Sequence, residues 1–142
     1  MKILAIGDVV GEQTLPYLRR TLPLARKEYA ADLVIANGEN VCDVHGLSPL
    51  TAQALFDAGV DFITSGNHIF DRRDAHQMLE DATHIVRPCN YPAECPGEGS
   101  KMITSQDGSL TASGEKEPIM HPPKPHSVAA SISVCATMPT SF

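Results

Sequence analysis

The chain has 142 residues, 42% of them hydrophobic and 20% charged, with a formal net charge of −6 at pH 7. That composition belongs to the soluble globular class and suits one domain able to bury a core. The acidic balance argues against nucleic-acid or anionic-membrane binding through bulk charge, but not against a small phosphate-bearing substrate, because bound metal ions supply local positive charge.

The opening run Lys2–Gly7 is short and apolar and reads as a buried strand. It stops at Asp8 after about five apolar residues, too short for the roughly 7–15 apolar residues of a secretion signal. No apolar run approaches the roughly 20 residues that span a bilayer, so a cytoplasmic protein is expected. From Thr14 to Tyr29, Leu15, Leu18, Leu22 and Ala25 recur near helical spacing. Pro16 is tolerable in a first turn, whereas Pro23 is expected to kink or end the helix. Asp32–Ala36 reads as a second strand. Ser48 is placed to cap a helix running to about Ala58, with Leu50, Ala54 and Leu55 on one face. Asp61–Thr64 reads as a third strand, Asp71 to Asp81 as a helix, and Ile85–Val86 as the start of a fourth strand. Strands alternating with helices predict an α/β fold of βαβ units with a mainly parallel sheet and right-handed crossovers.

After Arg87 the character changes. Pro88, Pro92, Pro96, Gly97 and Gly99 read as a loop, and Ser, Thr, Pro and Ala dominate from Ser100 to Phe142. Apart from Ser127–Cys135, nothing there reads as a buried element. The expected organisation is therefore a folded part over 1–99 and a weakly structured tail over 100–142. The four cysteines, Cys42, Cys89, Cys95 and Cys135, show no C-x-x-C spacing, so free thiols are expected rather than a zinc knuckle.

The first three strands each run into a polar cluster: Gly7-Asp8-Val9-Val10-Gly11, Asn37-Gly38-Glu39-Asn40 and Ser65-Gly66-Asn67-His68. In a parallel α/β sheet, ligands bind outside the carboxyl ends of the strands, so Asp8, Glu39, Asn40, Asn67 and His68 are predicted to share one edge. Carboxylate and amide oxygens are hard donors for magnesium, manganese or iron(II). A carboxylate such as Glu39 is able to bridge two ions, and a pair of ions clamps a phosphate and activates water. His68 is placed to hand a proton to a leaving alkoxide. Each motif alone also fits a plainer role: Asp8 as a turn or cap residue, Asn37-Gly38 and Gly66-Asn67 as turns, and His68 as a surface or core histidine.

Taken together, the three motifs resemble the YmdB-like family of calcineurin-type metallophosphoesterases, and Val86-Arg87-Pro88-Cys89-Asn90-Tyr91-Pro92 is similar to a further stretch of it. The resemblance covers Met1 to Gly99. Val10 stands where the wider superfamily usually carries a histidine, which suits this subfamily. The resemblance implies the N-terminal half of a calcineurin-like sandwich, two divalent metal ions (iron or manganese), and hydrolysis of phosphodiesters such as 2′,3′-cyclic nucleotides. It implies that Asp8 binds one metal, Glu39 bridges both, Asn40 binds metal or phosphate, Asn67 binds the second metal and His68 donates the proton.

The family's further histidine ligands, in a Gly-x-His-x-His type motif, have no counterpart among His76, His84, His121 and His126. The second-half ligands are therefore expected to be absent and the chain to be truncated and impaired, as a frameshift or premature stop would leave it. Half of a sandwich exposes an apolar sheet face and an unpaired edge, which a homo-oligomer would cover. The competing readings are a non-catalytic α/β module that binds a nucleotide or partner, and a non-functional fragment.

Overall fold

In the computed structural model, residues 2–43, 45–106, 109–113 and 130–135 are described. Four short strands, β1 (Ile3–Asp8), β2 (Leu33–Asn37), β3 (Phe62–Thr64) and β4 (Ile85–Val86), pair in parallel in the order β1-β2-β3-β4. Their register makes the sequence pattern intelligible. Ile6 lies opposite Ala36, Ala36 opposite Ile63, and Ile63 opposite Ile85. Side chains alternate across a strand, so this row and its neighbours Leu4 and Val34 point to one face. That face meets three helices, α1 (Leu15–Tyr29), α2 (Pro49–Asp57) and α3 (Arg73–Asp81). Leu22, Leu55 and Leu79 from the helices join the strand residues in one apolar cluster. Burying a leucine of this kind is worth roughly 1.5–3 kcal/mol.

On the opposite face, Leu33 and Phe62 are buried, Ile35 is half-buried and Ile3 is exposed. Among the described residues β1 pairs on one side only. At the lower end of the sheet, Arg26 grips the carboxylate of Asp61 at 3.0 and 3.1 Å, and the same carboxylate accepts the Val34 N–H at 2.8 Å. The last turn of α1 is thereby tied to β2 and β3.

Two local expectations are corrected. α1 runs unbroken through Pro23. Proline removes one N–H and crowds the preceding turn. Here Pro23 and Arg19 are both exposed, so the freed Arg19 carbonyl faces water. In α2 the capping prediction holds: Ser48 Oγ accepts the Thr51 N–H at 3.1 Å, and Thr51 Oγ1 accepts the Ser48 N–H at 3.0 Å. The predicted apolar face does not hold. Leu50 is 84% exposed and the buried residues are Thr51, Ala52 and Leu55. At about 100° per residue, Leu50 and Leu55 lie roughly 140° apart and cannot share one face.

Three further strands are described beyond Gly99. β5 (Ser100–Gln106), β6 (Ser109–Ser113) and β7 (Ala130–Cys135) form an antiparallel sheet in the order β6-β5-β7. β7 falls inside the Ser127–Cys135 segment noted from sequence. The β5–β7 pairing, Ser100 opposite Cys135 through Ser105 opposite Ala130, is non-local, and local composition does not encode such pairings. The rest of the tail lies outside the described residues. At the start of β5, the nearly buried Lys101 donates to the Ala82 carbonyl at 2.6 Å, tying this strand to the residue after α3.

The two α2 leucines give a direct check. Leu55→Ala should lower stability by about 2–5 kcal/mol, the range for a core leucine. Leu50→Ala should change it by no more than about 0.5 kcal/mol, as for other exposed sites. Urea unfolding followed by circular dichroism measures both.

Candidate functional site

The strand ends are level: Asp8 lies opposite Asn37, and Asn37 opposite Thr64. The register slips between Ile6 and Asp8, so Gly7 is an extra residue on β1. Such irregularities re-aim the side chain that follows. The chain after β1 is stitched to the chain after β2: the Val9 N–H donates to the Asn37 carbonyl and the Gly11 N–H to the Asn40 carbonyl, both at 2.9 Å. The Asn40 amide donates through Nδ2 to Asp8 Oδ2 at 2.9 Å.

After β2 the chain turns tightly. The Gly38 N–H donates to the Thr64 carbonyl at 2.9 Å, and Asn37 Oδ1 accepts the Glu39 N–H at 3.0 Å. Glu39 then reaches across to the turn after β3, where its Oε1 accepts the His68 N–H at 3.1 Å. Gly66 makes room for it, since any Cβ there would overlap the Glu39 carboxylate. His68 sits on a short 3-10 turn, Asn67–Phe70, and its Nδ1 lies 2.6 Å from Asp71 Oδ2.

Asp8, Asn40 and His68 line one cavity of about 470 Å³, together with Asp43 and His45. Glu39 stands behind it through its bond to His68. Asn67 is exposed at the start of the turn after β3, outside the cavity lining, and its carbonyl accepts the Tyr91 hydroxyl at 3.3 Å. All five residues singled out from sequence therefore lie at the same edge. A larger cavity, about 620 Å³, lies between α2 and α3 and is lined by groups such as Pro49, Phe56 and Met78. It contains none of the five, so the chemistry points to the smaller one.

Four residues at the site escaped the sequence reading. His45 stacks on the His68 ring, with centroids 4.5 Å apart and planes 18° from parallel. Asp43 shares the cavity, Asp71 holds His68, and Tyr91 holds the Asn67 backbone. The adjacency of Asp71 to the Gly66-Asn67-His68 motif was the available signal for it. His45 and Asp43 carried none, being loop residues without a motif. Tyr91 is placed by Arg87, which is buried and donates to the carbonyls of Pro88, Pro92 and Pro96 at 3.1–3.2 Å. His76 and His84 lie elsewhere: His76 packs on Phe70, and His84 meets Phe56 and Phe62 edge-on. His121 and His126 lie outside the described residues.

The site is acidic: Asp8 and Asp43 line the cavity, and Glu39 and Asp71 each contact His68. A bare phosphate would be repelled there, whereas divalent cations would be attracted and would invert the local charge. The donor types, carboxylate and amide oxygen, suit a hard cation. Their number is small: among the described residues no three His, Cys, Asp or Glu side chains come together as a metal cluster. The described cysteines Cys42, Cys89 and Cys95 are free thiols.

Solved structures share this arrangement of strands. A crystal structure of a hypothetical protein from Thermus thermophilus aligns with TM-score 0.67 and 40% identity, over 78% of this chain and 42% of that one. The crystal structure of a novel phosphatase from Mycoplasma pneumoniae aligns with TM-score 0.66 and 32% identity, over 72% of this chain and 38% of that one. A curated 2′,3′-cyclic-nucleotide 2′-phosphodiesterase from Bacillus subtilis (strain 168) is 34% identical over 110 residues, 78% of this chain and 42% of its own length. The fold is thus an α/β fold shared with a phosphatase, and the chain spans less than half the length of these relatives. It belongs to the YmdB-like protein family, whose model matches residues 4–121. That match continues past Gly99, where the resemblance read from sequence stopped.

Burial raises the Tyr91 phenol above its ordinary value, and the negative charges of Cys95, Asp71 and Glu39 add to the effect. Tyr91 therefore stays protonated, as a donor to Asn67 must. A raised folded-state value stabilises the fold below pH about 10, and that contribution is lost as the pH climbs through it. In an ultraviolet titration, Tyr91 should ionise at higher pH in the folded protein than in the urea-unfolded protein, and Tyr91→Phe should delete that difference.

Proposed function

We propose that this chain carries one wall of a metal-dependent phosphodiesterase site of the 2′,3′-cyclic-nucleotide type. The observation that carries the reading is the convergence of Asp8, Glu39, Asn40 and His68 from three separate strand ends, with Glu39 bonded to the backbone of His68. The name of the Bacillus subtilis relative supports the substrate class.

Asp8, Glu39, Asn40 and Asn67 are the residues that would hold two divalent ions, iron or manganese. When bound, these ions would supply an activated water and positive charge opposite the phosphate. The remaining chemistry belongs to the protein. Asp71 Oδ2 lies 2.6 Å from Nδ1 of His68 and is placed to accept Nδ1–H, so an imidazole protonated on both nitrogens would offer Nε2–H to the substrate. That proton goes to the departing ribose oxygen. The Asn40 amide is held by Asp8, which fixes its orientation toward a phosphate oxygen.

A small phosphodiester or cyclic nucleotide is the substrate in this reading, and the cytoplasm the compartment. No helix among the described residues is long and apolar enough to cross a membrane. Pairing of two copies through the free side of β1 would cover that edge. The few donors argue for weak metal affinity, and a nucleotide-binding module without turnover is the second reading that this observation favours.

Hydrolysis of bis-p-nitrophenyl phosphate and 2′,3′-cyclic AMP, with manganese and with chelator, separates the two. Turnover should require manganese, vanish with chelator and fall at least about 100-fold in Asp8→Ala, the upper end of what losing metal support costs. Nucleotide binding without turnover in the folded chain would establish the second reading instead.

A further inference from the structure

His68 is held by two groups that the proposed mechanism already uses, Glu39 on its backbone N–H and Asp71 on Nδ1. Neither touches the face of the ring. An imidazole held at one edge still swings about its side-chain bonds, and exposed side chains do so within nanoseconds. The third contact is His45, whose ring lies against His68 at 4.5 Å with the planes 18° from parallel.

The backbone under His45 is built for this placement. Gly46 has φ +86, which a residue with a side chain adopts only with strain. A Cβ there would also come within 2.9 Å of the His68 carbonyl. The loop is closed by the Cys42 N–H bond to the Gly46 carbonyl at 3.2 Å. It is anchored by the buried Val41, Cys42 and Leu47. An exposed histidine is thus carried on a pinned loop whose backbone touches the backbone of His68.

We propose that His45 is a positioning residue: its ring is the platform that, with Asp71, fixes the His68 imidazole so that Nε2 faces the cavity. The proposal rests on the reading of His68 as proton donor. What is required of His45 is a flat ring, not a proton or a charge, so phenylalanine should replace it and alanine should not.

The test compares His45→Ala and His45→Phe in the full chain, with manganese and 2′,3′-cyclic AMP, alongside nuclear magnetic resonance of the His68 side chain. His45→Ala should lower kcat about 3- to 10-fold, the weight of one aromatic pair, with KM unchanged, and His45→Phe should restore it. The His68 ring protons should shift in His45→Ala and its Hα–Hβ couplings should average toward free-rotor values, both recovering in His45→Phe. Equal loss in both variants would mean that the imidazole acts chemically, and an effect on KM alone would mean that it binds substrate. Either result overturns the proposal, as does unchanged kcat in His45→Ala. If the wild-type chain turns nothing over, the proposed function fails by itself. The resonance data then decide the platform: His68 couplings unaffected by His45→Ala would overturn it, and averaged couplings would uphold it.

Discussion

The contact on which the site depends is the carboxylate of Glu39 lodged in the space left by the absent side chain of Gly66, accepting the His68 N–H at 3.1 Å. It joins the turn after β2 to the turn after β3. The same contact sets the height of His68 relative to Asn40 and Asp8. A side chain at position 66 would push the Glu39 carboxylate out of this place.

Around that contact, the fold works as a jig. Sequential parallel strands bring successive βα turns to one end of the sheet, so residues some 30 positions apart in sequence become neighbours. The helices pack on one face and leave the strand ends clear, with Leu22, Leu55 and Leu79 closing the core beneath. On the far side, the buried Arg87 gathers the carbonyls of Pro88, Pro92 and Pro96 and holds a loop that has little regular hydrogen bonding of its own. A guanidinium with five fixed donors suits that task, and a lysine would not. Through this loop Tyr91 reaches the Asn67 carbonyl, so the third motif is steadied from outside the sheet as well as from within.

Much of this was legible beforehand. The strands showed as short apolar runs, the Ser48 cap as a serine before Pro49, and the candidate site as three polar clusters following three strands. Each is a local signal: a period, a cap or a turn residue. The failures were of another kind. Leu50 is apolar yet exposed, and only the packing of α2 against its neighbours decides which leucine is buried. Pro23 sits mid-helix, where both it and Arg19, whose carbonyl loses its partner, are exposed.

The sequence by itself determined the α/β alternation, the parallel sheet and the identity of the acid, amide and histidine groups at its strand ends. These depend on the order of residues along the chain and on rules that hold for any parallel sheet. The tertiary structure alone decided that His45 lies on His68, that Asp71 and Glu39 hold it from two sides, and that Arg87 and Tyr91 brace the third motif. These contacts arise where separate loops meet, and their distances follow from how helices and strands pack, which no local pattern records.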